Sequence, residues 1–292
     1  MRIDDLKIFV DFVNTKSCSK CAELNFVSQP AVSQKIKQIE SEFKTPLFIR
    51  NKKSVKLTPA GKILYDESQK IVGQYQSLLQ KIKSLSGVVQ GTLKIASIYS
   101  VGLYRLNEDV KNFIKKYPAV HLDMELSHSS KVYESILNET ADLGFVAYPR
   151  QHPCVDVIPY KEEEMVLVTH PDNPLGKFKK IDIGKINDHD FVGFEPGVPT
   201  GDAIRNMLKS RHVNVKIKME FDSIEIIKRA TEIGEGVSIL PKKAVEREVE
   251  HGLLNSVAFA KEKLLRPIAI VIKKNRIPSI AAQKFIEEVT PN

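Results

Sequence analysis

The stretch from Ser28 to Phe43, SQPAVSQKIKQIESEF, constrains this chain more than any other. Val32, Ile36, Ile39 and Phe43 follow at steps of four, three and four, the apolar stripe of an α-helix that faces a core. Ser28 is placed to cap it, and Pro30 lies in its first turn, where a missing N–H costs little. The other face carries Pro30, Ser33, Gln34 and Lys37, with Gln29 at the tip and no acid before Glu40. Upstream, Leu6, Phe9, Val10 and Val13 predict a first helix over Asp4–Thr15. Ser17 caps a short second one through Leu24, broken by Asn25-Phe26-Val27. Two short helices joined by a three-residue turn, the second polar at its start, have helix-turn-helix geometry.

That polar face suits a polyanion. Gln can bond adenine at two points in the major groove, and Ser can bond several bases or a phosphate. Lys35 and Lys37 suit phosphates. A solvated helix face would use the same residues, so the charge distribution matters. Residues 1–62 hold twelve Lys/Arg against six Asp/Glu, a net +6 of the chain's +8, which leaves +2 for the other 230 residues. A basic unit on a nearly neutral body suits polyanion binding. In "LFIRNKKSVKLTPAG", two short strand-like runs flank Asn51–Ser54. A hairpin tipped by Arg50, Lys52 and Lys53 reads as a wing along the phosphate backbone or minor groove.

These stretches, "LKIFVDFV", "CAELNFVSQPAVSQKIKQIE" and "PLFIRNKKSVKLTPAG", resemble the winged helix-turn-helix of LysR-type transcriptional regulators. Carried over by position, the resemblance gives Gln29, Pro30, Ser33 and Gln34 to the DNA-reading helix and Arg50 and Lys53 to the wing. With Ser28, Lys35, Lys37 and Lys52 these form the expected DNA-binding set.

Cys18 and Cys21 have the spacing of half a zinc site or a redox pair. No second CxxC or His pair lies nearby, and Cys154 is far along the chain. They read as small buried residues facing the first helix, with a redox pair as the alternative and no metal expected.

Thr58-Pro59 starts a long helix running to about Gly87. Leu64, Ile71, Tyr75, Leu78, Ile82 and Leu85 mark a narrow seam at heptad spacing, with Gln, Lys and Ser between. Such a stripe needs a partner, either the chain's own body or a second copy. A second copy fits better, because two reading helices would then meet successive major grooves of an interrupted palindrome in double-stranded DNA. The resemblance implies the same pairing, as a dimer or a tetramer.

From Gly91 the pattern changes to strand–helix alternation, an open α/β sheet. "GTLKIASI", "AVHLDMEL" and "DLGFVAY" read as strands, with helices over 101–116 and 130–139. "EEEMVLVTH", "FVGFEP", "VKIKMEF" and "GVSILP" follow as strands, with helices over 201–211, 223–232 and 242–251. "PIAIVIKK" and a helix over 278–289 return to the first half. The expected fold is a mostly α winged helix-turn-helix (1–58), a linker helix (59–90) and an α/β effector domain (91–292). That domain has two Rossmann-like subdomains, 91–162 with 266–292 and 163–265. The resemblance likens it to periplasmic binding proteins, with hinge strands near 161–164 and 264–268.

A ligand should sit where strand ends meet helix N-termini, which suit small anions. The candidates are Ser97, Ser100, Phe145, Ala147, Thr200, Gly201, Ser223, Gly236 and Val237. Ser100, Thr200 and Ser223 would also serve as plain helix caps; the resemblance favours Ser100 and Thr200 as effector contacts. Effector binding would then shift the two lobes and the paired DNA-binding units.

An enzyme, or a solute-binding protein with a basic N-terminal module, is the rival reading. The seven histidines form no HExxH, and no GxSxG elbow, P-loop or dinucleotide fingerprint occurs. The acidic run Glu162–Glu164 reads as a solvated strand start. No catalytic residue and no cofactor is expected. The chain opens MRIDDLK, with no export signal, and its longest apolar runs are too short to span a membrane. The expectation is a cytoplasmic transcription regulator whose partners are DNA, a small effector, itself and RNA polymerase.

Overall fold

A computed structural model describes residues 1–51, 54–84, 89–261, 263–276 and 278–290. The chain divides into two compact units, Met1–Val88 and Val89–Asn292.

In the first unit, α1 (Ile3–Thr15), α2 (Cys18–Asn25) and α3 (Gln29–Phe43) precede a hairpin of β1 (Phe48–Asn51) and β2 (Ser54–Leu57) and the long α4 (Pro59–Ser84). The caps follow the sequence: Ser17 Oγ accepts the Lys20 N–H, and Ser28 Oγ accepts the Ala31 N–H. Phe9, Cys21, Val32, Ile36, Ile39 and Leu47 bury the inner stripes. Phe43, expected to face that core, is 46% exposed, because α3 ends there and its last turn runs past the packed layer. Gly61 is required where α4 starts, since a Cβ there would meet the Leu47 carbonyl oxygen at 2.1 Å.

The second unit is α/β. It starts with β3 (Gly91–Ile98), α5 (Tyr99–Tyr104), α6 (Asn107–Lys116), β4 (Val120–Ser127), α7 (Ser129–Leu137) and β5 (Leu143–Ala147). Next come β6 (Val155–Thr169), β7 (Lys180–Ile181), β8 (Asp190–Phe194), α8 (Pro199–Ser210), β9 (Lys216–Phe221), α9 (Ile224–Glu232) and β10 (Ser238–Pro241). It closes with α10 (Lys242–Glu250), β11 (Asn255–Phe259), β12 (Leu264–Lys273) and α11 (Ile280–Val289).

Strands run in the order β4-β3-β5-β12-β6-β11-β7, with β10 also on β6, and β8 and β9 form a parallel pair. β3 is parallel to β4 and β5, while β12 is antiparallel to β5 and β6. The long β6 and β12 run side by side from one hydrophobic core to another. One core holds Leu93, Phe145, Tyr160, Ile270 and Phe285; the other holds Leu167, Phe191, Phe194, Ile227 and Leu240. We call these lobe I and lobe II.

The expected helix over 101–116 is two helices, broken at Arg105–Leu106, where Leu106 turns wholly into the core. β6 starts well before the acidic run, so Glu163 lies mid-strand and buried rather than solvated at a strand start. α8 begins at Pro199 with Val198 as its cap, so Thr200 does not open it.

Candidate nucleic-acid interface and ligand cleft

Ser28, Gln29, Pro30, Ser33, Gln34 and Lys37 are all exposed on the outer side of α3. Gln29 is steadied by Ser19, whose hydroxyl donates to the Gln29 amide oxygen at 3.2 Å. Lys35 differs from its neighbours: its ammonium lies 2.9 Å from the buried Asp5 carboxylate of α1. It ties α3 to α1 within the unit. Arg50 has its backbone in β1; Lys52, Lys53 and Leu85 lie outside the described residues.

Cys21 is fully buried, its thiol donating to the Ile8 carbonyl, while Cys18 is half-buried against the same core. Burial pushes the Cys21 thiol up to about 11, with Asp11 and Cys18 adding to the shift. Thiolate chemistry is thereby suppressed at neutral pH. On α4, Ile71, Tyr75, Leu78 and Ile82 stand 42–57% exposed in one stripe. Leu64 instead packs on the unit's own core, because the first turns of α4 lie along α1.

In the second unit a cavity of about 190 Å³ opens between the lobes. Ser100, Ala147, Thr200 and Ser223 line it. The other candidates do not. Ser97 is wholly buried and donates to the neighbouring Ile98 carbonyl. The Phe145 ring fills lobe I against Tyr160 and Phe285. Gly201 backs onto Phe194, whose Cβ would lie 2.5 Å from an added Cβ. Gly236 lies against the Asp190 backbone, and Val237 exchanges backbone hydrogen bonds with Asp190 and Val192.

Sequence reasoning missed several lining residues: Ser127, His128, Ser129, Ser130, Tyr133, Arg150, Asp222 and Arg266. The run Ser127-His128-Ser129-Ser130 closing a strand and opening a helix was the available signal. Three helix starts meet here, those of α7, α8 and α9. None of their cap residues, His128, Val198 and Ser223, makes a side-chain capping bond. The first-turn N–H groups of α7 and α9, those of α8 after Pro199, and the positive dipole ends of all three therefore lie at the cavity. Ser127 is 8% exposed, and its hydroxyl has no partner among the described residues.

At the cavity floor Arg266 donates to Ser100 Oγ at 2.7 Å and to Glu163 at 2.9 Å. Burial pushes the Glu163 carboxyl up, against the pull of Arg266 and Arg105, and burial pulls the Arg266 guanidinium down. Across the mouth, His128 Nε2 lies 3.7 Å from the Asp222 carboxylate. Arg150 donates to the Gly197 carbonyl at 3.5 Å. The cleft offers hydroxyls, cations and free backbone donors around a small volume, an arrangement for binding.

Comparison with known proteins agrees with both halves. Residues 3–62 match the bacterial regulatory helix-turn-helix protein family, lysR family, and residues 86–292 match the LysR substrate binding domain. A probable RuBisCO transcriptional regulator of Synechocystis is 28% identical over 295 residues, covering 99% of this chain and 86% of that protein. Full-length OxyR from Pseudomonas aeruginosa, in a variant form, shares the fold with a TM-score of 0.78 at 23% identity, covering 99% and 97%. The effector binding domain of QuiR, in complex with shikimate, has a TM-score of 0.63 at 21% identity, covering 69% and 96%. A winged helix-turn-helix followed by a two-lobed α/β domain, with both family matches in that order, makes this chain a member of the LysR family of transcriptional regulators, with a C-terminal effector-binding domain.

Proposed function

We propose that this regulator responds to a small oxyanion, a carboxylate or a phosphate, held in the cleft between its lobes. Ser127 carries this reading. Its buried hydroxyl lacks a partner among the described residues and lines a cavity where three uncapped helix starts meet. Such a site favours negative charge, and Arg150 at the rim adds a cation. QuiR, similar in fold, is in complex with shikimate, a carboxylic acid.

On the DNA side, Ser28, Gln29, Pro30, Ser33 and Gln34 read bases, and Lys37 with the wing residues Arg50, Lys52 and Lys53 holds phosphates. The stripe on α4 pairs with a second copy, so that a dimer, or a tetramer of two dimers, occupies an interrupted palindrome. The working division is 1–58 for DNA, 59–90 for pairing and 91–292 for the effector. The regulator acts in the cytoplasm, where it meets RNA polymerase, and it carries no catalytic step, in keeping with its curated relatives, which are named as regulators. Effector binding acts by favouring one lobe arrangement over another; a ligand that bound both equally would change nothing.

The test is a footprint of the full-length protein on DNA upstream of its own gene at several salt concentrations. A panel of phosphate and small mono- and dicarboxylates is then screened by thermal shift. A protected interrupted palindrome, and an anion whose stabilisation is lost in Ser127→Ala and Arg150→Ala, are expected. Stabilisation by neutral ligands alone would overturn the oxyanion assignment and leave the regulator reading standing.

A further inference from the structure

Besides the strands β6 and β12 and the contacts across the mouth, a tyrosine of lobe I reaches into a charged cluster of lobe II. Lys228, in α9 of lobe II, is 3% exposed. Its ammonium lies 2.8 Å from Glu248, 3.1 Å from the Ala244 carbonyl and 3.2 Å from Glu225, all in lobe II. Its fourth partner is the Tyr104 hydroxyl, at 2.9 Å, the last residue of α5 in lobe I. The Tyr104 ring also stands 4.9 Å from the ammonium and packs on the lobe II core. The same hydroxyl donates to the Glu225 carboxylate. Tyr104 therefore accepts from one lobe II side chain and donates to another.

The cluster is built to open without harm to lobe II. If the lobes part, Lys228 keeps two carboxylates and a carbonyl, so no unpaired buried charge is left behind. Within this cluster the Tyr104 hydroxyl and ring exchange their contacts for water, a small net change per hydrogen bond. Both helices involved also wall the cavity. Tyr99 and Ser100 line it at the start of α5, and Ser223 and Ile224 line it at the start of α9. α5 is six residues long, so its cleft end and its latch end move as one short rod.

We infer that Tyr104 and Lys228 form a reversible latch that sets how often the effector cleft is open, and that they are positioning residues for the effector response without touching the effector. This goes beyond the cleft assignment and does not depend on the effector's identity. An occupant seated against Ser100 and Ser223 changes the spacing of α5 and α9, and the latch makes or breaks with it.

The test reads cleft opening directly in the full chain. A Ser127→Cys reporter, nearly buried on the cavity wall, is pulse-labelled with iodoacetamide and quantified by peptide mass spectrometry. Ala147→Cys, 2% exposed on the same wall, is a second reporter. Adding Tyr104→Phe, which keeps the ring but removes both the bond accepted from Lys228 and the bond donated to Glu225, is expected to raise reporter labelling at least fivefold, about the population shift for a single ordinary hydrogen bond. Glu225→Ala, which of these two bonds removes only the one donated by Tyr104, should raise it less, and adding it to Tyr104→Phe should raise labelling no further. Unchanged labelling in Tyr104→Phe would overturn the latch. So would additive effects, which mark general loosening of the fold.

Discussion

Glu163 and Arg266 face each other directly across β6 and β12, carboxylate to guanidinium at 2.9 Å, with both side chains all but excluded from water. They lie where the two strands pass from lobe to lobe. Removing one member of such a pair strands a buried charge, which costs about 3–5 kcal/mol. Glu163→Ala should lose that much stability in urea unfolding of the full chain. Replacing both with apolar residues, Glu163→Leu with Arg266→Met, should cost far less. A Glu163→Ala loss below about 1 kcal/mol would mean that Ser100 alone suffices as partner for the guanidinium.

That pair also marks where the sequence stopped being readable. Three consecutive glutamates look like a solvated edge, because a local pattern cannot register that β12 brings an arginine to the middle one. The opening helices were legible because Leu6, Phe9 and Val13 in α1 and Val32, Ile36 and Ile39 in α3 recur at helical spacing and Ser17 and Ser28 cap in place. The strand–helix alternation of lobe I was legible for the same local reason. The short β7 and β11 were not, since each is held by pairing with distant strands rather than by its own pattern. In the cleft, Ser100 and Thr200 stood out as residues beside helix starts. Arg150 and Arg266 are lining residues only because of where the chain folds them, and nothing in their neighbours announces it.

On α3, the exposed residues should divide by chemistry. Gln29→Ala or Gln34→Ala, if either side chain bonds a base edge, should cost about 1–3 kcal/mol at the preferred site and relax selectivity at one position. Lys37→Ala should weaken binding to all sequences and lower the salt slope by about one. Quantitative footprints from low to physiological salt separate the two. Equal losses on specific and random DNA for Gln34→Ala would remove it from the reading set.

The stripe of Ile71, Tyr75, Leu78 and Ile82 leaves a row of large apolar side chains in water along the second half of α4. Leu64, packed on its own unit, should tolerate no polar replacement even in a monomer. Leu78→Glu with Ile82→Glu should instead leave the fold intact and shift sedimentation from oligomer to monomer. An unchanged sedimentation coefficient would send the pairing surface elsewhere.

Asp5 ties part of the acid response of the N-terminal unit to two contacts. Its carboxylate accepts the Arg2 N–H at 2.9 Å and lies 2.9 Å from the Lys35 ammonium. Burial alone would raise its pKa; the hydrogen bond and charge of Lys35, with the Arg2 N–H, outweigh burial and hold the carboxyl below its usual range. A carboxyl lowered on folding binds fewer protons in the native state, so its stabilisation is present above the unfolded pKa of about 4 and is lost as pH falls through the lower folded value. Urea unfolding of the full chain at pH 7, 5, 4 and 3 should therefore show the N-terminal unit weakening in the last two steps. Exposure of the fully buried Cys21 to 4,4′-dithiodipyridine, which reacts in acid, follows that unit. Asp5→Asn should lower stability at pH 7 by about 1–3 kcal/mol, as for a hydrogen bond to a charged group, and flatten the acid response. Lys35→Ala should destabilise the same unit while leaving the salt slope of DNA binding unchanged, the opposite of Lys37→Ala. A salt slope reduced by Lys35→Ala would mean that its ammonium leaves Asp5 for a phosphate when DNA is bound.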